Sequence, residues 1–293
     1  MPDFSQSLEF HSNYSQPTAM STPSQQPWSL ASKAAIVTGG SRGIGRAIAI
    51  HPARKGLEKL AITYASNSAA AQVTLEECHR LGVGQTVAIQ ADVLDPQFGP
   101  VVVDQALQGL GTSTIDILVN NAVITDPSIA QSFADTTIDV FTKVMQGNVF
   151  AAMSITNAVL PHLPEHGGRV INISSMSAKA GNPDPIITYG ASKAALDSVT
   201  RSLAKTFALS KRATFTSVTV GLTETDAYAM AKQNFPPEVL EAQIQEFTAA
   251  KRIGTPEDVA YVVGFLASEE ARWVNGACIS ANGGLKELLA VHG

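Results

Sequence analysis

Short apolar runs alternate with amphipathic stretches along most of this chain. Ala34-Ala35-Ile36-Val37 precedes a helical segment, Arg46-Ala47-Ile48-Ala49-Ile50. Leu60-Ala61-Ile62-Thr63-Tyr64 precedes a stretch in which Ala71, Leu75, Cys78 and Leu81 share one helix face. Further runs at residues 86–90, 115–119 and 277–280 read as strands, and Leu196, Val199, Leu203 and Phe207 as the buried stripe of another helix. Strand and helix in strict alternation predict an α/β fold, a doubly wound parallel sheet of about seven strands with helices on both faces. One domain over residues 31–293 is the simplest organisation. Residues 1–30, rich in Ser, Gln, Pro and Thr and without either period, read as a mobile tail. Pro52 falls inside the first predicted helix, where an interior proline costs about 3 kcal/mol unless the helix kinks or ends. On that reading Pro52→Leu stabilises the chain.

Composition narrows the partners. Apolar residues make up 45 % and charged residues 15 %, and the net charge is −5, so there is no global basis for binding nucleic acid or anionic lipid. Cys78 and Cys278 lie far apart in no CxxC pattern, which suggests neither a disulfide framework nor a metal site. No apolar run reaches the roughly 18 residues of a membrane span. The first basic residue is Lys33, so no secretory signal or transit peptide is indicated, and a cytoplasmic location is expected.

The first strand runs into Thr38-Gly39-Gly40-Ser41-Arg42-Gly43-Ile44-Gly45 and then a helix. Strand, Gly-rich turn and helix aim free N–H groups and the positive helix end at a phosphate. An NAD-binding fold usually carries Asp or Glu at the end of its second strand, against the ribose 2′-OH. None follows Tyr64 here; Arg42, Ser66 and Asn67 suit a 2′-phosphate instead, which favours NADP(H). Asp92, after the third strand, is placed to accept from an adenine amino group or to serve a solvated turn.

Tyr189 and Lys193 stand four apart in a helix-compatible segment, so both side chains leave one face. A Lys ammonium beside a phenol lowers its pKa from about 10 and makes it a usable acid or base. Two residues on a solvated helix surface are the plain alternative.

Together these motifs resemble the short-chain dehydrogenase/reductase family, in its single-domain branch of 3-ketoacyl-carrier-protein reductases and related ketoreductases. The likeness spans roughly residues 33–284. It rests on the glycine turn, Asn120-Asn121-Ala122, Asn148 in the fourth long helix, and Ile173-Ser174-Ser175 after strand five. Tyr189 with Lys193, Gly221 with Thr223, the run Arg252-Ile253-Gly254-Thr255-Pro256-Glu257-Asp258, and Asn282-Gly283-Gly284 complete it.

The resemblance implies a Rossmann-like fold and an NADP(H)-dependent reduction of a ketone. Tyr189 would be the general acid, Lys193 would lower its pKa and hold the nicotinamide ribose, Ser175 would polarise the carbonyl, and Asn148 would anchor a water for proton return. Ser177 is second choice to Ser175, because the gap to Tyr189 is one residue longer than usual in the family and Pro183-Asp184-Pro185 absorbs the difference. The cofactor would be held by Gly39, Ser41, Arg42, Gly43, Ile44, Gly45, Tyr64, Ser66, Asn67, Asp92, Val93, Asn121, Ala122, Val123, Tyr189, Lys193, Gly221 and Thr223. Val123 stands where the family usually has Gly, and Val220 where it has Pro. Residues 223–251 would form a substrate lid with Met230, Phe235 and Leu240 lining the pocket, broken at Pro236-Pro237. The helices carrying Asn148 and Lys193 would make a homotetramer, a dimer being the alternative.

A carrier protein fits less well as the source of substrate: residues 161–168 bring Glu165 and His166 and no Lys or Arg, though Lys205, Lys211 and Arg212 could compensate. The other reading of the chain is a cofactor-binding protein with a regulatory role, or one catalysing a non-redox dehydration or cyclisation.

Overall fold

The computed structural model describes residues 26–124, 131–226, 228–229, 232 and 236–289. The expected alternation is present. Seven strands, β1 (Ala34–Val37), β2 (Lys59–Tyr64), β3 (Gln85–Gln90), β4 (Ile117–Asn120), β5 (Gly168–Ser175), β6 (Ala213–Val220) and β7 (Cys278–Ala281), form one sheet in the order β3-β2-β1-β4-β5-β6-β7. Every pairing is parallel. The order reverses between β1 and β4, which opens a crevice beyond the carboxyl ends of those two strands.

Alternation along the strands sorts the core into two layers. Ala35 and Val37 face the cluster built on α1 (Gly43–Arg54) and α2 (Ser68–Arg80), while Ala34 and Ile36 face the one built on α3 (Phe98–Leu110) and the helices that follow it. Those are α4 (Ile138–Met145), α5 (Ala151–Val159) and the long α6 (Ile187–Lys211). The chain ends with α7 (Pro237–Gln245), α8 (Pro256–Leu266), which packs on α1, and the short α9 (Lys286–Leu289). A capping box opens α8, and Arg252 pairs with its Asp258 at 2.6 Å, so much of the 252–258 motif is accounted for by the start of a helix.

Several expectations change. Residues 26–30 belong to the body rather than to a tail: Leu30 is buried, its N–H donates to Lys55, and the Pro27 carbonyl accepts from Glu269. The remainder of that expected tail lies outside the described residues, as do Met230 and Phe235. Pro52 sits in the last turn of α1, two residues before the helix ends, with its ring buried. Ending there forgoes one hydrogen bond instead of breaking a helix, so Pro52→Leu loses its rationale as a stabilising change. Ile173, Ser174 and Ser175 lie in β5, not after it. On α6 the buried face is Ser192, Lys193, Leu196, Asp197, Thr200 and Ala204, whereas Val199, Leu203 and Phe207 are half-buried. The helix hides polar groups against the sheet, which the apolar stripe did not foretell.

Candidate active site

Thr38 ends β1 and ties the glycine turn to β4. Its hydroxyl accepts from the N–H groups of Asn121 and Ala122, at 2.9 Å each. The Asn121 amide in turn donates to the Thr38 and Gly39 carbonyls. Asn121 thus braces the turn with its side chain. The Gly39 and Gly40 N–H groups are taken by Thr63 on β2. The N–H groups of Gly43, Ile44 and Gly45 open α1 without intrahelical acceptors, as in any helix, and Arg42 makes no side-chain cap there. Those donors, at a positive helix end, fit a diphosphate.

Other expected cofactor residues surround the same crevice. Ser66 and Asn67 are exposed where β2 leads into α2, with Asn67 capping the helix through Ala70. The Arg42 guanidinium meets Asp226 at 2.8 Å, joining the glycine turn to the segment after β6. Asp92 accepts from the Leu94 N–H, the turn role weighed against adenine binding. Tyr64, Ile44 and Val93 pack against the core layers, and Ser41 offers its carbonyl to Thr74. Gly221 presses on Asn282, and Thr223 bonds back to the Gly221 carbonyl. Neither departure from the family pattern strains the backbone. Val123 has no positive φ, and Val220 is a buried core residue paired with Ser175 and Ala281.

The reacting groups converge at the carboxyl end of β5 and the first turns of α6. Lys193 is buried and its Nζ donates to the Ile173 carbonyl at 2.9 Å, with the Tyr189 ring centroid 5.8 Å away. The Ser175 hydroxyl caps the turn after β5 by accepting from the Ser177 N–H at 3.1 Å, so its own proton is free to go elsewhere. The Tyr189 phenol lies near enough for that hydroxyl to act on it. Ser177, the second choice, instead gives its carbonyl to Asn182, whose amide fills the space beside Gly190.

Asn148 lies in a π turn, Gln146–Phe150, that interrupts the continuous helix formed by α4 and α5. Its side chain accepts from the Ile124 N–H at 3.1 Å and donates to the Ser192 hydroxyl at 3.0 Å. Ser192 in turn donates to the Tyr189 carbonyl at 2.7 Å. That linking role of Ser192 was missed; its only signal in the sequence is a hydroxyl three residues after Tyr189.

The electrostatics differ from the expected lowering of the phenol. Desolvation pushes the Tyr189 hydroxyl above its ordinary value, and the Ser175 hydrogen bond offsets this in part. Burial pushes Lys193 down to about 8, against the opposing pull of Asp197. A phenol that keeps its proton at neutral pH is an acid, the form a carbonyl reduction needs. A cavity of about 560 Å³ lies at the opposite end of the sheet, beside Arg169 and Trp273, and none of these residues lines it.

Comparison with known proteins agrees with this geometry. The family model described as enoyl-(acyl carrier protein) reductase matches residues 39–286. The short chain dehydrogenase asqE of Emericella nidulans is 62 % identical over 265 residues, covering 90 % of this chain and 98 % of that protein. The versicolorin reductase stcU of the same organism is 34 % identical over 268 residues, covering 89 % and 98 %. A short chain dehydrogenase from Burkholderia cenocepacia, solved in complex with NADP, superposes with a TM-score of 0.78 at 35 % identity, covering 88 % of this chain and 99 % of that one. With the parallel sheet, the glycine turn at its switch point and the Ser175, Tyr189 and Lys193 cluster, this chain belongs to the short-chain dehydrogenase/reductase family.

Proposed function

We propose that this chain is an NADP(H)-dependent ketoreductase of secondary metabolism, acting reversibly on a ketone and its alcohol. The observation that carries the reading is the gathering of Ser175 at the end of β5 with Tyr189 and the buried Lys193 in the first turns of α6, next to the crevice that suits a dinucleotide. When bound, the nicotinamide supplies the hydride. Tyr189 holds the proton destined for the carbonyl oxygen, and Ser175 orients that oxygen by hydrogen bonding. Lys193 places positive charge beside the phenol as it loses its proton. Asn148, through Ser192, fixes the turn that presents Tyr189. Of the expected lid, the described part includes α7, with Leu240 buried. The versicolorin reductase relative supports a ketone of a fungal secondary metabolite as the substrate class.

NADP(H) is preferred because no carboxylate follows β2, while Arg42 stands in the glycine turn and Ser66 and Asn67 follow Tyr64. Taking the 2′-phosphate would require Arg42 to leave Asp226. Arg42→Ser is expected to raise the KM for NADPH about tenfold or more, with that for NADH little changed, because one charge-assisted contact contributes about 1.5–3 kcal/mol. Equal effects on both cofactors would remove Arg42 from this role. The overall reading is tested by following NADPH absorbance over a panel of cyclic aromatic ketones, diketones and acyl thioesters. Turnover of the ketones supports it, and consumption of substrate without NADPH loss would replace it by a non-redox reaction.

The assembly proposed is a homotetramer. Ile138, Phe141, Phe150 and Met153 expose apolar surface along α4, the π turn and α5, and Tyr261 and Phe265 do so on α8. Light scattering is expected to read four chains per particle; a monomer would refute this.

A further inference from the structure

One turn beyond Lys193 on α6, Asp197 is 4 % exposed and makes no ion pair within 4 Å among the described residues. Burying a carboxylate in this way is expensive unless something nearby needs its charge. Its one described partner is Ser217 on β6, whose Oγ lies 2.8 Å from Asp197 Oδ1 and 3.0 Å from Cys278 Sγ. A hydroxyl has a single proton, so Ser217 donates to the carboxylate and receives the thiol proton. The Arg201 guanidinium, one turn further along α6, is drawn to the Cys278 sulfur at 4.0 Å.

Around this group the layer between α6 and the sheet also holds uncharged polar side chains. Asn172 donates to Thr200, and Thr219, on the same face of β6 as Ser217, keeps a buried hydroxyl oxygen without a partner. The titratable or charged groups around Asp197 are Tyr189, Lys193 and Arg201 on its own helix and Cys278 on β7. On the neighbouring elements, Lys143 of α4 is exposed and Arg169 of β5 is held by Glu269.

We propose that Asp197 is a positioning residue for the reduction: its carboxylate, held by Ser217, is the counter-charge that keeps Lys193 an ammonium in its buried seat. This rests on the proposed role of Lys193 beside Tyr189. Two forces act on Lys193, desolvation that favours the neutral amine and Asp197 that opposes it. Lys193 and Asp197 stand four residues apart on the buried face of α6, which places the carboxylate on the same side of the helix as the ammonium. The same carboxylate would be a poor choice for stability alone, since an apolar residue in its place would avoid its desolvation.

The test is the titration of Lys193 followed by NMR on protein carrying ¹³C-labelled lysine, without cofactor and again with NADPH, the resonance being assigned by its loss in Lys193→Arg. The midpoint is expected to fall by about one pH unit or more in Asp197→Asn, the size of a single charge interaction at this range. Asp197→Glu should restore it. If Asp197→Asn does not fold, Asp197→Leu removes the charge without leaving an unpaired amide, and the same fall is expected. An unmoved midpoint in either folded variant overturns the proposal. In turnover, the alkaline limb of the pH profile should move down by the same interval, because the ammonium is lost as pH rises through its pKa. Lys193→Met tells the two ideas apart: undiminished NADPH turnover there would end the catalytic reading of Lys193, whereas the lysine titration judges Asp197 by itself.

Discussion

Tyr189→Phe is expected to lower kcat for ketone reduction by about a thousandfold, within the range that a positioned general acid contributes, while NADPH affinity stays within a few-fold of the parent. The substitution removes one oxygen and keeps the ring beside Lys193, so the packing at the start of α6 survives. What disappears is the phenol hydroxyl, carried by the ring that lies 5.8 Å from the buried ammonium. Because desolvation raises the phenol, reduction should be level through neutral pH and fall on the alkaline side. The oxidative direction, which needs the phenolate, should instead rise with pH. Paired steady-state assays in both directions check this, and a Tyr189→Phe enzyme with more than a tenth of parental turnover would rule the acid out.

Gly45→Ala is expected to be nearly as damaging, but through the cofactor. A Cβ at Gly45 would overlap the Gly39 carbonyl and crowd the Asn121 amide. Neither can retreat: the Gly39 N–H is bonded to Thr63, and Asn121 is stitched to Thr38. The turn must open, at a cost of about 3 kcal/mol. In a chain of this size that is a fall of roughly 6–12 °C in Tm. NADPH affinity should drop on the order of a hundredfold, since the α1 donors would no longer point at one place. Calorimetry with a fluorescence titration of NADPH checks both parts. Parental melting with parental affinity would show that the turn has room that the structure denies it.

Much of this was legible along the chain because it depends on local periods. Strand positions came from apolar runs, and all lie within two residues of the expected ends where both were named. The Tyr189 and Lys193 pair follows from helix geometry alone, as four residues bring two side chains to one face. What misled was the assumption that a buried helix face is apolar. On α6 the hidden positions include Lys193, Asp197 and Thr200, and their burial is decided by partners on β5 and β6: the Ile173 carbonyl accepts from Lys193, Ser217 donates to Asp197 and Asn172 donates to Thr200. The phenol's shift likewise came out opposite in direction, because neighbour charge can be guessed from spacing whereas desolvation cannot.

By itself the sequence determined the class of sheet, the place of the glycine turn and the pairing of Tyr189 with Lys193 on one helix face, since each is encoded in residues close together in the chain. Tertiary structure alone decided which side chains are spent on holding the site and which remain free to react. The fold, not the spacing, brings the Asn121 amide against Thr38 and Asp226 against Arg42. Asp197 looked like an ordinary helix residue until β6 closed over it. A hydrogen bond depends on distance and angle in space, and partners brought together by a sheet crossover have no fixed separation in sequence.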